Sequence, residues 1–399
     1  MKLLVITAAI LCSISAGVYA QDTGYHWYKG NTHSHSYWSD GNDFPEEVME
    51  WYKSHGYNFI SLTDHNTTDQ SELWRKISKK PQVKMVEQQW FDAYLQKYGK
   101  DWVTTRKDSS GFSVKLKTLQ EFRSRFEESG KFLIMPGEEL TAFYKGEPVH
   151  MCLINLVTQL SPVDGTSKAD LIQKNLDQFY AQREKTKQPM LVQINHPNFK
   201  NSLKFGDMSS LQGARFFEVF NGHPLVNNYG DSTTISTEKL WDKLLIAYTN
   251  AGKPLLYGIG SEDSHDYHGF ATENASPGRA WIMVKATDLS PASLISAMDK
   301  GDFYASSGVT LRDVNFKNGK LNVLVKPEAG INYTIQFWGA KAGDTDGELL
   351  KEVKGNEASF QLVKNMLYVR AKVISSKLKE NPFRKGDMET AWIQPVTFR

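Results

Sequence analysis

The chain predicts an α/β fold, either a barrel or a doubly wound sheet, followed by a small all-β domain. Three observations lead there. From residue 25 to about 300, short apolar runs alternate with amphipathic stretches, the rhythm of strands and helices around a largely parallel sheet. Beyond Ser307 the rhythm changes to period-two runs separated by turn residues. Histidines and carboxylates recur at the carboxyl ends of the apolar runs, where barrel and open-sheet enzymes assemble their sites.

At the N-terminus, Lys2, the apolar stretch from Leu3 to Cys12 and the small residues Val18 and Ala20 form the pattern of a signal peptide over residues 1–20, cleaved before Gln21. The apolar stretch falls short of the about 20 residues needed to span a bilayer. No later run is longer, so a periplasmic or secreted protein without stable membrane insertion is expected. Strands are predicted at Asn58–Leu62, Phe132–Met135, Met190–Ile194, Phe216–Phe220, Leu255–Ile259 and Trp281–Val284. Helix signals fall between them: Asp43 with Glu46 and Thr118 with Glu121 resemble capping boxes, Ser290-Pro291 opens a helix, and Gly56, Gly130 and Gly301 close helices.

The stretch from about 71 to 117, rich in Trp and Tyr, interrupts the rhythm and is expected to be a helical insertion, either a substrate wall or aromatic packing. Residues 21–307 with this insertion would form the main domain. Residues 308–399 would form a sandwich-like β domain, with strands at Leu321–Val325, Tyr333–Trp338, Ala358–Val363, Leu367–Ile374 and Ala391–Phe398. The formal charge of +2, with 23% charged residues of mixed sign, leaves no basic stripe for nucleic acid. Of the two cysteines only Cys152 survives cleavage, which excludes an intramolecular disulfide. In its run Met151-Cys152-Leu153-Ile154 it reads as a buried, inert thiol.

The chemistry is carried by His33-Ser-His35, Asp40, Asp64-His65, Glu138-Glu139, His150, His196 and Asp263-Ser-His265. Two histidines at alternate positions face the same way and reach one ion about 2 Å from each nitrogen. His150 opens an apolar run instead of following one. Lys145-Gly146 suggests a hairpin that would bring it level with the other strand ends. So many ionisable groups at corresponding ends point to a polynuclear metal site, since without cations they would repel one another and lose hydration.

In order, N-T-H-S-H, S-D-G, L-T-D-H-N, P-G-E-E, V-H-M, N-H-P and E-D-S-H resemble the PHP family, the polymerase and histidinol phosphatase metallohydrolases, over roughly residues 27–285. Ser276-Pro-Gly-Arg-Ala-Trp281, Phe303-Tyr-Ala-Ser-Ser-Gly308 and Ala391-Trp-Ile-Gln-Pro395 resemble, more narrowly, an exported subgroup related to carbaryl hydrolase. The resemblance implies a distorted (β/α)7 barrel and two to three divalent ions in one cleft. His33, His35, Glu139 and Asp263 would hold the first, Glu139 with His150 and His196 the second, and Asp40, His65 and His265 the third. Glu139 is preferred over Glu138 because the family's motif reads G-x-E, and Glu262 departs from the serine frequent at that position.

Three ligand carboxylates and three divalent ions leave about +3 of formal charge, which suits a small anionic substrate. A metal-bound hydroxide would be the nucleophile of a phosphoesterase. Zinc, manganese and iron all suit the donors. The same site could instead hydrolyse a carbamate, amide or carboxylic ester, and a third reading is a non-catalytic metal-containing binding protein. Asp64, His223 and His268 are candidates for supporting or acid roles, and Arg279 for binding a phosphate oxygen. Substrate identity and oligomeric state are not legible.

Overall fold

A computed structural model describes residues 24–109 and 111–398; the export segment expected over residues 1–20 lies outside them. The protein is a mixed α/β structure built on one large sheet, with a second domain at its C-terminal end. The sheet has thirteen strands, running from Tyr257–Ser261 through Phe216–Asn221, Leu191–Ile194, Glu147–Ile154, Leu133–Tyr144, Phe59–Leu62 and His26–Asn31 to Trp281–Ala286 and Phe303–Ser306. It then continues into Met388–Val396, Met366–Leu378, Tyr333–Lys341 and Glu348–Lys354.

All six apolar runs predicted before residue 300 contribute strands; most are buried on both faces, while Trp281–Ala286 alternates buried and half-buried residues. Pairing is parallel between His26–Asn31, Phe59–Leu62 and Leu133–Tyr144, and again between Leu191–Ile194, Phe216–Asn221 and Tyr257–Ser261. The strand Glu147–Ile154 is antiparallel to both its neighbours. It returns through Lys145 (φ 52°) and Gly146 (φ 82°), the paired left-handed residues of a two-residue hairpin turn. Thr141 therefore lies opposite His150, and Glu139 opposite Cys152.

The sheet curls until the segment after its first strand meets the segment after Tyr257–Ser261. There His35 N donates to Ser264 O at 2.9 Å and Asp263 N to His33 O at 3.0 Å. Helices Pro45–Ser54, Leu119–Phe126, Lys168–Thr186, Thr237–Asn250 and Pro291–Lys300 cover it. The Thr118/Glu121 capping box and the Ser290 cap form as the spacing predicts. The Asp43/Glu46 box does not form. The helix is capped at Phe44, whose N–H is taken by Asp43 Oδ1, while Glu46 turns inward to accept from Tyr94 and Trp102, both at 2.6 Å.

The expected helical insertion is instead a four-stranded sheet of Trp74–Ser78, Val86–Glu87, Thr105–Asp108 and Gly111–Lys115 with one helix, Gln88–Tyr98. Its aromatic residues drew the helical reading, but Trp74 lies in a strand and Trp102 in a connection. The insertion braces the segment around Asp40. Arg75 donates to the carbonyls of Tyr37, Trp38 and Ser39, and Tyr94 stacks on Phe44 with ring centres 3.7 Å apart.

After residue 307, Leu311–Lys317 and Glu348–Lys354 are strands that the sequence reading missed. A three-stranded sheet of Leu311–Lys317, Lys320–Val325 and Glu357–Gln361 shares a core of Leu321, Val323, Ile335, Phe337, Val373 and Ile393 with the end of the large sheet. The strand Met388–Val396 pairs with Phe303–Ser306, so one sheet holds strands from both sides of the boundary expected between residues 307 and 308. Asp242 accepts from Arg370 Nε and Nη2, each at 2.7 Å, and from Tyr368 Oη at 2.8 Å, which fastens this end to the helix Thr237–Asn250.

Candidate metal centre

Strand ends, the hairpin of Leu133–Tyr144 and Glu147–Ile154, and the loop that carries Asp40 bring nine side chains to one place, with the Glu139 carboxylate among them. Its Oε1 lies 3.2 Å from His33 Nε2, 3.1 Å from His150 Nδ1 and 3.3 Å from His196 Nε2. Its Oε2 lies 3.4 Å from His35 Nε2 and 2.8 Å from His65 Nδ1. Asp263 Oδ1 is 3.3 Å from both His33 Nε2 and His35 Nε2. Asp40 is 3.3 Å from His265 Nε2 and 3.5 Å from His65 Nε2. Two of the nine hold left-handed backbone, His196 at φ 22° and Asp263 at φ 49°, a conformation that persists where surrounding structure enforces it.

Few of these contacts are hydrogen bonds. His33 Nε2, His35 Nε2, Asp40 Oδ1 and both His150 ring nitrogens are buried without a hydrogen-bond partner. Orphaned buried polar atoms are costly and rare, and here they face one another. Within the cluster His35, Asp40, His65 and His265 offer atoms all within 4.8 Å of one another, as do His33, His35 and Asp263, and also His65, Glu139 and His150. A donor set of imidazole nitrogens and carboxylate oxygens at such spacing fits divalent cations.

The remaining ring nitrogens are held by partners that set the tautomer. His33 Nδ1 lies 2.6 Å from Glu218 Oε1, His265 Nδ1 lies 2.8 Å from the Asp263 carbonyl, and His35 Nδ1 lies 3.2 Å from Ser39 Oγ. Each of these Nδ1 atoms donates, which leaves the Nε2 lone pair facing the cluster. Burial alone would raise the carboxyls of Glu139 and Asp263, yet the surrounding histidines hold both well below the usual range. Burial pushes His35 down to about 3, helped by His265 and His65. For His65 burial also lowers the value, but Glu139 and Asp40 outweigh it and lift the ring to about 11.

Asp64 is fully buried and accepts from Ser36 N at 2.9 Å, Ser36 Oγ at 2.8 Å and Ser39 Oγ at 2.5 Å. It reaches His35 only through Ser39, and fixes the loop between His35 and Asp40. The His223 ring lies 5.4 Å from His265, at the edge of the cluster. His268 is elsewhere: it stacks on Trp90 at 3.4 Å, with Nε2 3.2 Å from Asn42 O. Arg279 is 1% exposed and donates to the carbonyls of Gly222, Ala271 and Thr272. Its expected role on a phosphate oxygen is therefore corrected, since its donors are spent on backbone. Glu138 points away from the histidines, accepts only Leu160 N at 3.0 Å, and is pushed up to about 7 by burial.

Two residues of the centre escaped the sequence reading. Glu218, in the apolar run Phe216–Phe220, accepts from His33 Nδ1, Gln193 Nε2, His196 N, Asn221 Nδ2 and Ser261 Oγ, all within 3.0 Å. A lone carboxylate inside such a run was the available signal. Cys152 also faces the cluster, with Sγ grouped with His33 and Glu139 within 4.8 Å. Its signal was the alternate spacing from His150.

No protein-family model matches the chain, and no curated protein matches it in sequence. Among solved structures it is similar to a two-domain protein containing a predicted PHP-like metal-dependent phosphoesterase from Bacteroides vulgatus, at 15% identity over 93% of this chain and 96% of that one, with a TM-score of 0.41. It is also similar to a candidate metal-dependent phosphoesterase from Bifidobacterium adolescentis, at 12% identity over 59% and 87%, with a TM-score of 0.30. An amidohydrolase from Chromobacterium violaceum, with bound sulfate and no metal, is similar at 11% identity over 60% and 88%, with a TM-score of 0.26. Likeness at this level carries no argument about activity.

Proposed function

We propose that the protein is an exported, metal-dependent hydrolase of the PHP type, acting on a small organic phosphate. The observation that supports it is the set of buried, orphaned ligand atoms around Glu139. In this reading the seven strands from His26–Asn31 to Tyr257–Ser261 form a distorted (β/α)7 barrel. His33, His35, Glu139 and Asp263 would hold one ion, Glu139 with His150 and His196 a second, and Asp40, His65 and His265 a third. Bound there, two or three such ions would supply Lewis acidity and an acidified water near neutral pH.

The chain's own residues hold and aim these groups. Glu218 fixes the His33 ring, and Ser39, itself tied to Asp64, fixes His35. His223 Nδ1 accepts from Leu225 N at 3.2 Å, so the ring proton sits on Nε2. Burial pushes this ring down to about 4, so at neutral pH it is uncharged and offers one N–H to a departing oxygen. The positive charge of the loaded site favours a phosphate monoester.

A second reading, hydrolysis of a neutral carbamate, amide or carboxylic ester as in the subgroup related to carbaryl hydrolase, is favoured by two observations. Arg75 and Arg279 are both spent on backbone carbonyls. Phe143, 58% exposed, lies 6.3 Å from the His150 ring, and Phe199 lies 6.4 Å from it. A screen of metal-reconstituted protein against nitrophenyl phosphate, its diester and a naphthyl carbamate tests both. Phosphate hydrolysis that is lost with chelator supports the leading reading, carbamate turnover alone moves the assignment to the second, and no turnover by a fully loaded protein rejects both. Mass spectrometry of exported protein tests the loss of residues 1–20.

A further inference from the structure

Residues His150 and Cys152 lie two apart in the strand Glu147–Ile154, so their side chains leave the sheet on the same face. Register adds a second constraint, since Cys152 stands directly opposite Glu139 in the hairpin, and directly opposed residues share a face. A third comes from Asn195, whose Nδ2 donates both to Glu139 Oε1 at 2.7 Å and to Cys152 Sγ at 3.1 Å. Asn195 Oδ1 in turn accepts Cys152 N at 3.0 Å, so the thiol is held in place through its backbone and its sulfur together.

What faces the sulfur is a ligand atom in want of a partner. His33 is 0% exposed, its Nδ1 is committed to Glu218, and its Nε2 is buried without a hydrogen bond. Cys152, also 0% exposed, brings Sγ within 4.8 Å of the ligand atoms of His33 and Glu139. An inert packing thiol is ordinarily surrounded by hydrocarbon. This one is bounded by an imidazole, a carboxylate and a carboxamide.

Resting on the metal-centre reading above, we infer that Cys152 is a tenth donor, a thiolate on the sheet side of the cluster that selects zinc or iron over manganese at the positions shared by His33 and Glu139. The chemistry follows from ligand softness. Thiolate sulfur favours zinc and iron, whereas an all-oxygen and imidazole set discriminates weakly against manganese. As the sulfur–metal bond forms the thiol proton leaves to solvent, and the lone pair of His33 Nε2, which has no hydrogen-bond partner, would bind the cation.

The test uses the full mature chain. Loaded with cobalt(II), it should show a thiolate-to-cobalt charge-transfer band in the near ultraviolet, and loaded with zinc it should show a sulfur scatterer at about 2.3 Å in X-ray absorption. Cys152→Ser should abolish both signals and reduce the preference for zinc over manganese in competition dialysis by about tenfold. Elemental analysis of the same samples separates the two ways of failing. Bound ions with only nitrogen and oxygen neighbours would overturn the role of Cys152 and leave the hydrolase reading standing. A chain that retains no ion would overturn both. If Cys152→Ser loses its native circular dichroism, the wild-type spectra alone decide.

Discussion

Glu262 and Asp263 are neighbours in the chain and serve opposite interiors. On the Glu262 side every charge has a partner: the carboxylate accepts from Tyr52 Oη at 2.5 Å, from Tyr57 Oη and from Gly278 N at 2.9 Å, and Lys29 lies over the Tyr57 and Trp281 rings. On the Asp263 side the carboxylate meets two imidazole nitrogens that have no hydrogen bond at all. Glu138 and Glu139 differ in charge in the same sense, the first raised by burial and the second depressed by histidines, although Glu138 Oε1 is also buried without a hydrogen-bond partner. The scaffold holds isolated orphaned atoms, such as Glu138 Oε1 and Arg370 Nη1, whereas orphaned ligand atoms that face one another mark where a ligand belongs.

The contrast can be broken most severely at Glu139. Glu139→Gln should lower bound metal and turnover together, by about a hundredfold, while Glu138→Gln should stay within about twofold of the parent in both. Parallel elemental analysis and ester hydrolysis check this, and a dead Glu138→Gln with an active Glu139→Gln would reverse the two roles. Away from the cluster the expected losses are of stability alone. Arg370→Met strands Asp242 in the interior and should cost about 3 kcal/mol in urea unfolding, with the metal content of folded protein unchanged.

Tyr52→Phe removes one donor from Glu262 and should cost about 1 to 2 kcal/mol by the same measurement, again without metal loss. The smallest effect is one of pH. Burial is the main cause that lowers Lys29 and Lys379 to about 8, from an ordinary 10.5. Between about pH 8 and 10 the folded state has released these protons and the unfolded state still binds them, so stability should rise with pH. Thermal unfolding across that window should show the rise in the parent and a flatter profile in Lys29→Met.

Eight of the nine residues were visible in the sequence because each follows or opens an apolar run, and strand ends in such folds gather at one edge; Asp40 was visible through the motif Ser39-Asp40-Gly41. Glu218 and Cys152 were not visible because each is a single residue inside an apolar run. Only the register of neighbouring strands shows which way it points. Arg279 was misjudged for a related reason, since nothing in Pro277-Gly-Arg-Ala280 reveals that three carbonyls surround its guanidinium. The insertion was misjudged because its aromatic residues fit a helical face as well as they fit a strand.

Gln394, five residues from the C-terminus, accepts Gly258 N and donates to Gly258 O, both at 2.8 Å, so it completes the strand that delivers Asp263 and His265. That strand pairs along one edge with Phe216–Asn221, while its other edge is met by a side chain 136 residues further on, a non-local contact of the kind that slows folding. The strand end that delivers Asp263 and His265 is thereby tied to the C-terminal domain, so loosening the sheet at Gln394 reaches the cluster through Gly258.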